Sequence, residues 1–200
     1  MTTAPEPRRS KYATAFIVIG SLLALMWGLE IIDQLTSNYL DQFGIRPRDA
    51  ENLPHIATAP WLHFGWGHLI SNSGPFLLLG VLNYLAGLAR WLVTTGLSIL
   101  ASGLLVWLIS PTYTITLGAS GLIFGWLTYL LVRGFYTRKI SEIVVAVLVF
   151  MFYGSILLGV LPLTQGVSWQ GHLGGALGGV LAAWWLHRRS RRTQPTAYAG

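Results

Sequence analysis

Six long apolar runs restrict what this chain can fold into. They cover approximately residues 13–35, 66–88, 91–110, 118–133, 141–161 and 170–187. A helix needs about 20 mainly apolar residues to cross the hydrocarbon core of a bilayer, and these runs reach or approach that length. They lack the alternation of membrane strands, which would also need a closed barrel. The pattern predicts an all-α membrane protein with six transmembrane helices.

The composition argues against a soluble domain. Of the 200 residues, 53% are hydrophobic and only 10% are charged, whereas a soluble domain carries roughly 25% charged residues. Cysteine is absent, which excludes disulfides, thiolate metal sites and a cysteine nucleophile. The net charge of +6 comes from basic residues that flank the apolar runs. We therefore expect contact with anionic lipid headgroups and no binding of nucleic acid.

The basic residues also predict the orientation in the membrane. With the N-terminus in the cytoplasm, only Arg46 and Arg48 of the thirteen basic residues fall in outside segments. The other eleven, all in inside segments, are Arg8, Arg9, Lys11, Arg90, Arg133, Arg138, Lys139, Arg188, Arg189, Arg191 and Arg192. Because Lys and Arg concentrate in cytoplasmic loops, this distribution predicts six spans with both termini in the cytoplasm.

These boundaries divide the chain into three parts. We expect a cytoplasmic N-terminal tail at residues 1–12, a six-helix membrane domain at 13–187, and a basic, disordered C-terminal tail at 188–200. Residues 36–65 would form a long outside loop that lies partly in the membrane interface.

Four polar side chains lie at the outer ends of the predicted spans. His68 and Asn72 are near the start of the second span and share one helix face. Ser120 lies in the first turn of the fourth span, and His172 lies in the first turn of the sixth. Polar groups are costly inside a membrane and mark functional sites. The charges that set the topology include none of these four residues, so their common depth predicts a site there.

Glycines around two of these residues would let the helices approach closely. Gly118 and Gly121 enclose Ser120, and glycines including Gly175 follow His172 at helical spacing. A serine hydroxyl needs a base within about 2.6–3.2 Å to become a nucleophile. The pattern predicts that His172 takes the proton of Ser120, which then attacks a peptide carbonyl.

The remaining groups for this chemistry are also nearby. The Ser120 backbone N–H and the side chains of Asn72 and His68 are the available donors for a tetrahedral oxyanion. None of the seven acidic residues lies in the second, fourth or sixth span, which favours a Ser–His dyad over a triad. Phe124 follows Ser120 by one turn, so its ring is within reach of the His172 imidazole.

These motifs resemble the rhomboid family of intramembrane serine proteases. They are His68-Leu-Ile-Ser-Asn72, Gly118-Ala-Ser120-Gly121 and Gly171-His172-Leu-Gly-Gly175, and the resemblance covers roughly residues 13–187. It implies Ser120 as nucleophile, His172 as base, and His68 and Asn72 as oxyanion donors. His63 matches a position where the family often has histidine.

The resemblance also implies a substrate class and a gate. Rhomboids cleave single-span membrane proteins, often where the substrate helix is destabilised, and the fifth span and the 162–169 loop would form the gate and cap. Phe124 departs from the tyrosine common in the family. The first loop lacks the Trp-Arg pair of some members and has Gly44-Ile-Arg46-Pro47-Arg48 instead, which leaves the anchoring of this loop open.

We therefore expect an intramembrane serine endopeptidase that cuts peptide bonds in or near transmembrane segments, without a metal or cofactor. Its partners would be transmembrane protein substrates and the lipid bilayer. We expect it in a bacterial plasma membrane, as a multi-pass protein with the active site facing the extracytoplasmic side. Nothing in the sequence indicates the oligomeric state.

Three alternatives stay open. An inactive relative would bind membrane proteins without cutting them, although it would be expected to lack the serine or the histidine. A small transporter would use Glu30 and Asp33, toward the outer end of the first span, in a proton path. A metal at His63 and His68 is disfavoured because no His-Glu-x-x-His motif and no nearby acid accompany them.

Overall fold

The chain is mainly helical in the part that the computed structural model describes, residues 10–192, with side chains described to residue 188. Within that part, the only β contact is an isolated bridge between Ile45 and Thr116. The α-helices are α1 Lys11–Leu35, α2 His55–Thr58, α3 Gly65–Leu85, α4 Leu88–Ile109, α5 Ser120–Thr137, α6 Ile140–Tyr153 and α7 Trp169–Arg192. Short 3₁₀ helices are Tyr39–Phe43, Ala50–Asn52, Ala59–Trp61 and Gly154–Val160, the last of which continues α6.

Each of the six apolar runs contains one long helix, with boundaries that differ by a few residues. The largest difference is at α6, which ends at Tyr153 and is continued by a 3₁₀ helix to Val160, and α7 continues beyond its run to Arg192. The expectation of a disordered tail from residue 188 was therefore wrong for residues 188–192, because basic residues are favourable in the last turns of a helix. Residues 1–9 and 193–200, which make up most of the two predicted tails, lie outside the described residues.

Between residues 10 and 192, three segments are long and apolar enough to cross a membrane by length and composition. They are Lys11–Leu35, Leu88–Ile109 and Ile140–Val160, with mean hydropathies of 2.2, 2.1 and 2.7. The helix α5 is different, because every residue from Gly121 to Leu130 is buried by α3, α4, α6 and α7. Helices that pack against other helices in a membrane carry small and polar residues, which lowers the hydropathy of α3, α5 and α7.

The helices α4, α5 and α7 pack with almost no side chains between them. A Cβ atom on Gly175 would collide with the carbonyl oxygen of Gly121 in α5. On the other face of α7, a Cβ on Gly174 would lie 2.5 Å from the carbonyl oxygen of Ala101 in α4. Thr128 Oγ1 also donates a 2.8 Å hydrogen bond across to the carbonyl of α7 residue Ala176. Gly175 and Gly179 of α7 thus face α5, whereas Gly174 and Gly178 face α4.

The long first loop is anchored to the end of α4 by an arginine. Arg48 donates from its guanidinium to the carbonyl oxygens of Leu108 and Ser110, at 3.0 and 2.6 Å. Its backbone N–H donates to Trp107, whose indole N–H donates in turn to the carbonyl of Asp49. Carbonyls in the last turn of a helix lack intrahelical donors, so the guanidinium caps this helix end.

Candidate active site

One cavity, of about 680 Å³, joins residues that are far apart in the chain. His68 and Asn72 reach it from α3, Ser120 from the start of α5, and His172 from the first turn of α7. Segments 114–118 and 166–169 form part of the remaining wall, together with residues of α4 and of the first loop. The four polar residues singled out in the sequence therefore share one cavity.

A tight turn precedes Ser120. Gly118 has φ +122°, a conformation that strongly favours glycine, and its N–H donates a 2.8 Å hydrogen bond to the carbonyl of Ala59. A Cβ on Gly118 would lie 2.5 Å from the His68 ring. The turn makes Ser120 the first residue of α5, where a backbone N–H has no acceptor within its own helix.

The His172 ring is held by two contacts. It stacks on Phe124 with ring centroids 4.1 Å apart and an angle of 9° between the planes. Its Nδ1 lies 2.9 Å from the carbonyl oxygen of Gly159. A carbonyl can only accept, so Nδ1 carries the hydrogen, and in the neutral ring Nε2 keeps a free lone pair.

The sequence did not point to Gly159. Its carbonyl comes from the 3₁₀ segment Gly154–Val160, thirteen residues before His172, and no residue spacing indicates that this segment folds over the ring. A Cβ at Gly159 would lie 3.0 Å from both His172 Nδ1 and Phe124 Cζ. The close approach of the carbonyl therefore depends on glycine at this position.

Asn72 and His68 are the candidate donors to an oxyanion, and the Asn72 amide has a donor that no acceptor in the described part of the chain uses. Asn72 is 8% exposed, and its Nδ2 has no hydrogen-bond partner among the described residues. His68 lines the same cavity and packs edge-on against His63, with ring centroids 5.0 Å apart. A buried amide without a partner is rare and needs an explanation, which an incoming oxygen atom would provide.

Comparison with known families bears on the whole arrangement. A family model described as the Rhomboid domain matches residues 50–189, which is more than two thirds of the chain and contains every cavity-lining residue except Ile45. The chain belongs to the rhomboid family. Members of this family are generally intramembrane serine proteases. Together with the apolar helices, the family membership indicates a multi-pass membrane protein.

The rhomboid has close relatives in mycobacteria. The uncharacterized proteins Rv1337 of Mycobacterium tuberculosis and Mb1372 of Mycobacterium bovis are each 42% identical to it over 206 residues, covering 99% of this chain and 86% of theirs. The uncharacterized protein ML1171 of Mycobacterium leprae is 42% identical over 203 residues, covering 96% of this chain and 80% of its own. Their names assign no activity, so these relatives add no function to the family membership.

The supporting residues of this rhomboid lie behind the cavity. Phe124 backs the His172 ring, and Gly175 lets α7 approach Gly121. His63 lies outside the cavity lining, is 2% exposed, and accepts a hydrogen bond at Nε2 from the Ala119 backbone N–H at 3.4 Å. Burial, and secondarily the neighbouring His68, lower the pKa of His63 to about 3, so this ring is neutral. Among residues 10–192, no three His, Asp or Glu side chains are arranged to hold a metal ion.

Proposed function

We propose that this rhomboid is an intramembrane serine endopeptidase that works with a Ser120–His172 dyad. The observation that supports this proposal most directly is the orientation of the His172 ring in the shared cavity. With Nδ1–H bonded to the Gly159 carbonyl, the Nε2 lone pair is available to a proton donor in the cavity. A general base needs this tautomer, which a carboxylate selects in a Ser-His-Asp triad.

The proposed reaction has two stages. His172 Nε2 takes the proton of Ser120 as the hydroxyl oxygen attacks the peptide carbonyl, and the imidazolium then protonates the leaving amine. Water, deprotonated by the same nitrogen, hydrolyses the acyl-enzyme. The Ser120 N–H, the Asn72 amide and the His68 ring would donate to the oxyanion in both stages.

Two features of the site substitute for a carboxylate in this mechanism. The Gly159 carbonyl would accept a stronger hydrogen bond once His172 is cationic, because charge-assisted bonds are the stronger ones. The face of Phe124 lies against the same ring, and aromatic faces attract cations. Both contacts support the imidazolium form, which exists only after proton transfer.

The substrates and membrane placement belong to the same proposal. We expect transmembrane proteins as substrates, six spans, both chain ends in the cytoplasm, and a cavity that faces the extracytoplasmic side of a bacterial plasma membrane. The segment Ile140–Val160 is the least buried of the three candidate membrane spans, with only 6% of its apolar window buried, and its Gly159 carbonyl lies against His172. We expect a substrate helix that approaches within the bilayer to pass this segment.

The test uses purified protein in detergent with a fluorophosphonate probe and a single-span membrane substrate. We expect the wild type to gain the mass of one probe and to cleave the substrate, and Ser120→Ala to do neither. Ser71→Ala is the matched control, because Ser71 lines the same cavity and already donates its hydroxyl to the His68 carbonyl. Cleavage by Ser120→Ala, or no cleavage by the wild type, would contradict the proposal.

A further inference from the structure

A second group of polar side chains lies beside the cavity, in a crevice between α1 and the first loop. Glu30 and Asp33 of α1, Asp41 and His63 line it together with Leu29, Leu40 and Leu62. Glu30 and Asp33 are 2% and 3% exposed, and the lining contains no lysine or arginine. The proposed mechanism uses none of these side chains.

Each of the four polar side chains has one buried atom without a partner. Asp33 Oδ1 accepts the Leu40 N–H at 2.6 Å and Glu30 Oε1 accepts from Gln34 at 2.9 Å, which leaves one oxygen of each free. The full set of unpartnered atoms is Glu30 Oε2, Asp33 Oδ2, Asp41 Oδ1 and His63 Nδ1. Buried polar atoms without partners are costly, so these atoms have reason to satisfy one another.

The hydrogen bond on the other side of His63 shows which of its nitrogens is the donor. Nε2 accepts the Ala119 N–H, so the hydrogen of the neutral ring is on Nδ1, the nitrogen without a partner. That N–H is therefore available to the carboxyl groups of the crevice. The charged and titratable groups around the ring are the three acids and, from α3, His68.

We propose that His63 is a positioning residue, an imidazole that lies between the crevice acids Glu30, Asp33 and Asp41 and the peptide N–H directly before Ser120. Its Nδ1–H faces the crevice of the acids while Nε2 holds the Ala119 amide, which stabilises the turn before the proposed nucleophile. His63 acts through this peptide and does not touch the substrate. The role in catalysis rests on the proposed function, whereas the hydrogen bond does not.

The hydrogen bond can be tested without any catalysis. Gly–Ala peptide bonds occur only at 118–119 and 175–176, so labelling glycine at its carbonyl carbon and alanine at nitrogen isolates two amides in the NMR spectrum. In His63→Phe we expect the Ala119 amide to exchange with solvent about tenfold faster. Ala176, inside α7, is the internal control. His63→Gln, whose side-chain oxygen can accept in place of Nε2, should restore slow exchange.

Kinetics then test the positioning role. In His63→Phe we expect kcat to fall about tenfold with KM unchanged, and His63→Gln to recover most of it. A variant with a neutral crevice (Glu30→Gln, Asp33→Asn, Asp41→Asn) should lower kcat in the wild-type background and have no further effect in His63→Phe.

Each outcome decides a separate point. Unchanged Ala119 exchange in His63→Phe would overturn the hydrogen bond. Faster exchange with an unchanged kcat would overturn the positioning role, and so would additive effects of the crevice variant and His63→Phe. A wild type that fails to cleave would refute the proposed function and the catalytic part of this inference together, while the exchange experiment would still decide the bond.

Discussion

At the scale of single residues, the orientation of His172 depends on two neighbours that carry no charge. The Gly159 carbonyl selects the tautomer and the Phe124 ring fixes the plane of the imidazole. A base buried in an apolar site would be difficult to orient with a carboxylate, because an ionised acid is expensive inside a membrane. A backbone carbonyl provides the same acceptor without that cost.

The carbonyl contact predicts a specific effect of one methyl group. The Cβ of Gly159→Ala would press on the His172 and Phe124 rings at 3.0 Å, so one ring must shift. We expect kcat to fall roughly 10- to 100-fold, since small displacements of catalytic groups have effects of that size. Gly154→Ala, in the same 3₁₀ segment, meets only the exposed side chain of Phe150 and should retain activity. Equal activity of both variants would show that this contact does not orient the base.

The pKa of Asp41 predicts how the stability of the folded protein depends on pH. Burial, with the neighbouring carboxylates of Asp33 and Glu30, raises its pKa from 3.8 to about 6. The folded state therefore holds the proton more tightly than the unfolded state, and stability falls as pH rises from about 4 through about 6. Asp41→Asn should raise the melting temperature at pH 8 and leave it unchanged at pH 4. Glu51→Gln, at an exposed position, controls for net charge, and an equal shift at both pH values would contradict the assignment.

At the scale of helices, glycine lets the two helices that carry the proposed dyad approach each other closely. Ser120 starts α5 and His172 lies in the first turn of α7, so the separation of these helices sets the separation of their side chains. The contact between Gly121 and Gly175, one turn further in, is backbone against backbone. Larger residues there would hold the helices apart.

A substitution in this contact should damage both stability and activity. In Gly175→Ala the new methyl group collides with the Gly121 carbonyl, which cannot rotate away. We expect a loss of about 1–3 kcal/mol in stability, as for other overpacked interiors, and loss of probe labelling at Ser120. Gly96→Ala in α4 meets nothing within 4 Å and should be neutral or slightly stabilising in the same thermal unfolding assay. A stable, active Gly175→Ala would mean that the helices can separate without effect on the site.

At the scale of the whole molecule, the sequence predicted the structural features that follow from repeating patterns of residues. The apolar runs predicted the long helices, and glycine spacing predicted close packing at Gly121 and Gly175. It could not predict contacts made by irregular segments, such as the Gly159 carbonyl on His172 or the Arg48 cap on α4. Those contacts depend on the path of loops in space, for which no periodicity exists.

The last prediction concerns the topology, which the absence of cysteine makes easy to test. Every introduced cysteine is unique, so Thr112→Cys, Gln165→Cys and Lys139→Cys each report one exposed position between helices. Six spans with cytoplasmic ends place residues 112 and 165 on the outside and residue 139 inside, in agreement with the basic charges near it. In right-side-out vesicles, an impermeant maleimide should label the first two variants, and label Lys139→Cys only after detergent is added. Labelling of Lys139→Cys alone would show the opposite orientation, with the cavity on the cytoplasmic side. Labelling of all three variants in intact vesicles would contradict the six-span arrangement.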